Sequence, residues 1–179
     1  MKTRREFLQG LIISVGGASA LSACGDAATI VATTAGKGGR FYSADEMALI
    51  SRISDLVIPR TETPGALDVN VPGYLDALMS DWASAETQNS HREALQLISR
   101  RLDSLSGSFM TTSEAGAAAA LSELDSDAFD GDSDLGGYRS LKGYITQSYF
   151  ATEAGATEEL KWNAIPGRWD PSVDILTGD

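Results

Sequence analysis

Beyond residue 40 the apolar positions fall at helical spacing almost continuously. Ser43-Ala44-Asp45-Glu46 has the form of a capping box, a Ser at the N-cap and a Glu three residues on. Leu49, Ile50, Ile53, Leu56 and Val57 then mark one face of a helix that Pro59 stops. Thr61 to Ala66 reads as a turn, and Pro72 suits the first position of a second helix carrying Tyr74, Leu75, Leu78, Met79 and Trp82. A third helix is expected from Gln88 to Leu105, with His91, Leu95, Ile98, Leu102 and Leu105 on its stripe and Gly107 at its end. Thr111 to Glu114 reads as another capping box, opening an alanine-rich helix over Ala115–Leu124. Gly136-Gly137 gives a weak start signal within a fifth strong helix, Leu135–Phe150, whose apolar side holds Leu135, Tyr138, Leu141, Ile145 and Tyr149. A short helix is expected over Thr157–Lys161, and Trp162–Asp179 reads as irregular. No segment alternates as a strand would, and no internal repeat is visible. The expectation is an all-α domain, a bundle of about five helices with an irregular C-terminal tail.

The first forty residues follow another pattern. Basic Lys2, Arg4 and Arg5 precede an apolar run, Leu11 to Ala20, that is broken by small residues. That order describes a secretory signal. Arg4 and Arg5 followed by Phe7 and Leu8 resemble the twin-arginine motif, the address read by a translocase for folded proteins. A membrane-spanning helix is the rival reading, but Phe7 to Ala23 is 17 residues with several Gly and Ser, short for a hydrocarbon core of ~30 Å. Leu21-Ser22-Ala23-Cys24-Gly25 resembles the lipobox of bacterial lipoproteins, in which the chain is cut before an acylated cysteine. Cys24 is therefore the expected lipid anchor, and acyl chains at ~0.8 kcal/mol per buried CH₂ would hold the protein on a membrane. The expected organisation is a signal peptide over 1–23, a flexible Ala/Thr/Gly tether over 24–39 and a helical domain over 40–179.

Composition narrows the function classes. Hydrophobic residues make up 42% and charged residues 22%, so a packed domain rather than disorder is the default. Net charge is −11 for the whole chain, and removing residues 1–23 leaves 11 basic and 24 acidic residues, about −13. Such a surface repels phosphate backbones, so no nucleic-acid partner is expected. It gives no electrostatic help at an anionic bilayer either, which leaves the lipid as the means of attachment. With one Cys and one His, an internal disulfide is impossible and a His/Cys metal site lacks ligands.

Few residues suggest chemistry. His91 has no nucleophile motif around it, and a hydrogen-bonded structural role is expected. Asp125, Asp127, Asp130, Asp132 and Asp134 crowd one stretch, and calcium is worth weighing. The EF-hand spacing fails, because Asp130 stands where Gly is required, so a solvated loop is expected. No G-x-G-x-x-G, P-loop or C-x-x-C-H is present, so no cofactor is expected in this chain. Trp162 and Trp169 flank the irregular Ile165-Pro166-Gly167 segment, the kind of place where aromatic side chains anchor a partner.

Three stretches carry a family resemblance: Asp55-Leu56-Val57-Ile58-Pro59 with Thr63-Pro64-Gly65-Ala66 and Val71-Pro72; Tyr149 with Thr152 to Thr157 and Glu159-Leu160; and Trp162 with Pro166-Gly167-Arg168-Trp169-Asp170. In their order and spacing, over about residues 41 to 172, the chain resembles the small subunit of membrane-bound gluconate 2-dehydrogenase and related flavin sugar dehydrogenases, the subunit 3 family. The departure is at Asp170-Pro171-Ser172, where members often carry a Gly-Cys pair. The resemblance implies a non-catalytic partner. A larger glucose-methanol-choline-type subunit would carry FAD and oxidise a sugar or alcohol, often passing electrons to a c-type cytochrome. The small subunit would escort that flavoprotein through the twin-arginine (Tat) translocase to the periplasmic side of a bacterial membrane. Pro64, Gly65, Trp162, Pro166, Gly167 and Trp169 are then the candidate contact residues. The runner-up is a stand-alone envelope lipoprotein binding a small ligand or another envelope protein.

Overall fold

A computed structural model describes residues 38–163 together with Ile165 and Gly167. Arg4, Arg5, Phe7, Leu8, Cys24, the tether up to residue 37, Pro166 and Trp169 lie outside the described residues. The described chain is all helix and turn: α1 Ala44–Val57, α2 Val71–Asp81, α3 Ala85–Ser106, α4 Glu114–Phe129, a 3-10 turn Ser133–Leu135, α5 Gly136–Phe150 and a π-helical turn Gly155–Glu159. None of these helices is long and apolar enough to cross a membrane.

The caps explain most boundaries. At α1 the box closes both ways, Glu46 N–H donating to Ser43 Oγ at 3.3 Å and Ser43 N–H to Glu46 Oε2 at 2.8 Å. Asn70, left-handed at φ 54°, caps α2 through its side chain, and Pro72 sits in the first turn, where a missing N–H costs nothing. Helix α3 begins earlier than the apolar stripe suggests, because Ser84 Oγ accepts from Thr87 N–H. Gly107 at φ 78° ends it. The expected box over Thr111–Glu114 does not form. Ser113 is the cap of α4, accepting from Gly116 N–H, while the Thr111 hydroxyl donates to Ser108 Oγ. Ser and Thr both cap well, and the first to meet a free N–H at the right offset wins. Helix α4 also runs beyond Leu124 to Phe129, since buried Ala128 continues its inner face. The short helix expected over Thr157–Lys161 is instead the π-helical turn over Gly155–Glu159.

Helix α5 packs against all four other helices, and α3 with α4 and α1 with α2 complete the bundle. A Cβ at Gly137 would fall on the Cβ of Ala94, so this glycine lets α5 close onto α3. Ile50, Ile53, Leu75, Leu95, Leu102, Leu124, Leu141 and Ile145 are wholly or almost wholly buried, each contributing about 1.5–3 kcal/mol through lost apolar surface. Three residues placed on stripes turn outward. Trp82 is 84% exposed because α2 ends at Asp81 and Trp82 lies past the helical period. The buried edge of α2 is Val71, Leu75, Asp76 and Met79, which leaves Tyr74 half-exposed on its flank. Leu105 is partly exposed, just before the Gly107 terminus of α3.

Gly38 to Ser43 is tied to the bundle by polar groups. The buried Asp76 carboxylate accepts three backbone N–H bonds, from Arg40 at 2.8 Å and from Phe41 and Tyr42 at 2.9 Å. Tyr42 is buried, and its hydroxyl meets His91 Nε2 at 2.7 Å. Arg92 donates to the Phe41 carbonyl and lies over the Phe41 ring.

Candidate partner interface

Pro64 and Gly65 lie in the loop between α1 and α2, which closes on itself when Ala66 N–H donates to the Ile58 carbonyl at 2.9 Å. The backbone approaches so closely that a Cβ on Gly65 would stand 2.6 Å from the Arg60 nitrogen. Arg60 makes a two-point bond to Asp68, through Nε at 2.8 Å and Nη2 at 2.6 Å, and Gly65 N–H joins the same carboxylate at 2.8 Å. The Arg60 guanidinium holds the Asp68 carboxyl below the usual carboxylate range. Gly65 is buried and Pro64 half-buried.

The second motif comes to the same place. Tyr149, buried at the end of α5, donates its hydroxyl to the Pro64 carbonyl at 2.6 Å. Beyond Phe150 the chain tightens into the π-helical turn, with Thr152 Oγ1 bridging Tyr149 O at 2.6 Å and Gly155 N–H at 3.1 Å. A side chain at Gly155 would strike the Tyr149 carbonyl oxygen. Thr63 Oγ1 then donates to Glu159 Oε2 at 2.6 Å. Residues 85 and 96 positions apart in sequence thus lock the loop to the turn.

From this lock the chain runs outward. Trp162 N–H donates to the Ala156 carbonyl at 2.8 Å, and Lys161 takes a left-handed φ of 51°. The backbone is anchored while the side chains face solvent: Leu160 is 57%, Trp162 63% and Ile165 84% exposed. Gly167 follows at φ 73°. The structure thus joins Pro64 and Gly65 to the root of the segment bearing Trp162, Ile165 and Gly167. Leu160, not singled out as a contact residue in the sequence, belongs to the same exposed surface. No separate signal marked it, because it falls inside the short helix expected over Thr157–Lys161.

The other candidates do not come together as a site. His91 is buried against Tyr42, and that burial lowers its pKa to about 4 and raises that of Tyr42. Three of the five aspartates face separate partners. Asp125 accepts from Tyr138 at 2.8 Å and Lys142 at 2.6 Å, Asp132 from Arg101 at 2.9 Å, and Asp130 from Ser126 at 3.3 Å. Among the described residues no three His, Cys, Asp or Glu converge as metal ligands.

A family model described as gluconate 2-dehydrogenase subunit 3 matches residues 44–167. The chain belongs to the gluconate 2-dehydrogenase subunit 3 family. The match begins with α1 and ends with the exposed segment, so it spans the bundle, the Thr63–Glu159 lock and Trp162. Comparison with curated proteins and with solved structures finds no match. Family membership makes this chain an accessory subunit of a dehydrogenase complex.

Proposed function

We propose that this chain is the non-catalytic small subunit of a periplasm-facing, FAD-dependent dehydrogenase of the glucose-methanol-choline type. It escorts the folded flavoprotein through the Tat translocase, stays bound to it as a stabilising partner, and is held on the membrane through Cys24. The flavoprotein oxidises a sugar or alcohol, and a c-type cytochrome takes the electrons. The family match over residues 44–167 carries this reading. The anchored, outward-facing Trp162 supports it, because exposed aromatics on a fixed backbone are the usual anchors of a protein interface.

The test is purification of the native chain from its membrane, followed by an absorbance scan for flavin. Flavin should accompany the wild-type chain. Trp162→Ala should lose about 2 kcal/mol of binding, roughly thirtyfold in affinity. Its melting temperature should barely move, because the side chain is 63% exposed. A wild-type chain that purifies without any flavoprotein would reduce this reading to a stand-alone lipoprotein.

A further inference from the structure

The exposed apolar segment is bordered by acid. Glu153, Glu158 and Glu159 lie on or just before the π-helical turn, and all are exposed. The Thr63–Glu159 bond brings Glu62, also exposed, to the same side from the loop between α1 and α2. Among the described residues the carboxylates of Glu62, Glu153 and Glu158 make no hydrogen bond or ion pair, whereas Glu159 is held by Thr63. Arg60, the nearest cation in the loop, is held by Asp68. Among the described residues of the turn and the segment that follows it, Lys161 is the cation that offsets these acids.

The geometry points to a docking surface for the flavoprotein subunit in which Leu160, Trp162 and Ile165 enter an apolar cleft bordered by lysine or arginine, and Glu62, Glu153 and Glu158 meet those cations. This inference rests on the function proposed above and adds the charge of the partner's surface to it. Charge selects among the occupants. A second copy of this chain, docked about a two-fold axis, would set the acidic border against itself. An anionic lipid surface would repel it as well. A cation-bordered cleft satisfies both the apolar side chains and the unpaired carboxylates, and border charges of this kind act mainly on association rate.

The experiment uses the native complex, purified through a tag after Asp179, dissociated and re-formed over about 0.01 to 1 M salt. Over that range the Debye length falls from about 30 Å to about 3 Å. The wild-type association rate should fall by about tenfold or more. The triple variant Glu62→Gln, Glu153→Gln, Glu158→Gln keeps Glu159 for Thr63, and should associate slowly even at low salt with little further salt dependence. Its helical circular dichroism should match the wild type, since these carboxylates hold nothing in the domain. A triple variant with the wild-type rate and salt slope would overturn the acidic border while leaving the subunit reading intact. A wild-type chain that captures no flavoprotein overturns both. Self-association of the free chain through Trp162, or its binding to anionic vesicles, would assign the surface to another occupant and overturn this one.

Discussion

Replacing Asp76 by Ala removes the acceptor on which the start of the domain is built. Three backbone N–H groups converge on this one carboxylate within 2.9 Å, and Asp76 is only 6% exposed. Hydrogen bonds to a charged acceptor are worth about 1.5–3 kcal/mol each, and a buried donor left unpaired costs about 1–3 kcal/mol. Arg40 is exposed, so its N–H can turn to water; the N–H of buried Tyr42 has no such outlet. The expected loss is therefore about 3–5 kcal/mol rather than the full sum. At about 2–4 °C per kcal/mol, the melting temperature should fall on the order of 10 °C. Asp76→Asn should cost less, about 1–2 kcal/mol. Its remaining oxygen can still serve Phe41 and Tyr42, and the amide nitrogen fails only Arg40. Urea unfolding followed by helical circular dichroism measures both variants, and an unchanged slope shows that stability and not compactness has moved. An alanine variant that loses less than about 1 kcal/mol, or an asparagine variant as damaged as the alanine one, would show that this carboxylate does not hold the entry segment.

His91 gives a pH signature. Its pKa falls from 6.5 to about 4 on folding, chiefly through burial, so the unfolded chain binds its proton first. The contribution is complete above pH 6.5 and is lost as pH falls towards 4, about 3 kcal/mol in all. The urea midpoint measured across this range should slope accordingly, and His91→Gln should flatten it; an unchanged slope refutes the assignment. The Ser54 hydroxyl is buried and has no hydrogen-bond partner among the described residues, so Ser54→Ala should stabilise the bundle by about 1 kcal/mol in the same assay. Arg4→Lys with Arg5→Lys should leave the precursor in the cytoplasm, and Cys24→Ala should abolish fatty-acid labelling. Processing of the double variant in cells without the twin-arginine translocase, or an unmodified mature N-terminus, would refute these two expectations.

The bundle was legible because its signals are local. Ser43 and Glu46, Pro72 and Gly107 act within a turn of themselves, and the Leu95–Ile98–Leu102 stripe needs no knowledge of its neighbours. Where two local signals competed, as Thr111 and Ser113 did before α4, sequence spacing could not choose between them. Trp82 failed for another reason. Its position extends the period of α2, but the helix stops at Asp81, and helix ends depend on tertiary packing as much as on propensity. The lock between loop and turn was illegible because it is made of single hydrogen bonds between distant segments. Neither Thr63 nor Glu159 carries a mark in the sequence that names the other.

That lock separates two roles within the contact residues expected from sequence. Gly65 is buried, and its close backbone approach admits no side chain. Pro64 offers its carbonyl to Tyr149 and is half-buried. Neither presents much surface to a partner, so their contribution is positional: they fix the loop that receives Tyr149 and Thr63, and through Glu159 the turn from which Trp162 projects. Trp162 has the opposite character, an anchored backbone with a side chain that touches little of its own domain, and Ile165 beyond it is more exposed still. A residue that positions should be felt in stability, and a residue that contacts should be felt in binding. Gly65→Ala must displace the Arg60 or Pro59 backbone to fit and should therefore lower both the melting temperature and flavoprotein capture, whereas Trp162→Ala should lower capture alone. If the two variants behave alike, loop and segment form one contact surface, and the division between holding the interface and being the interface fails.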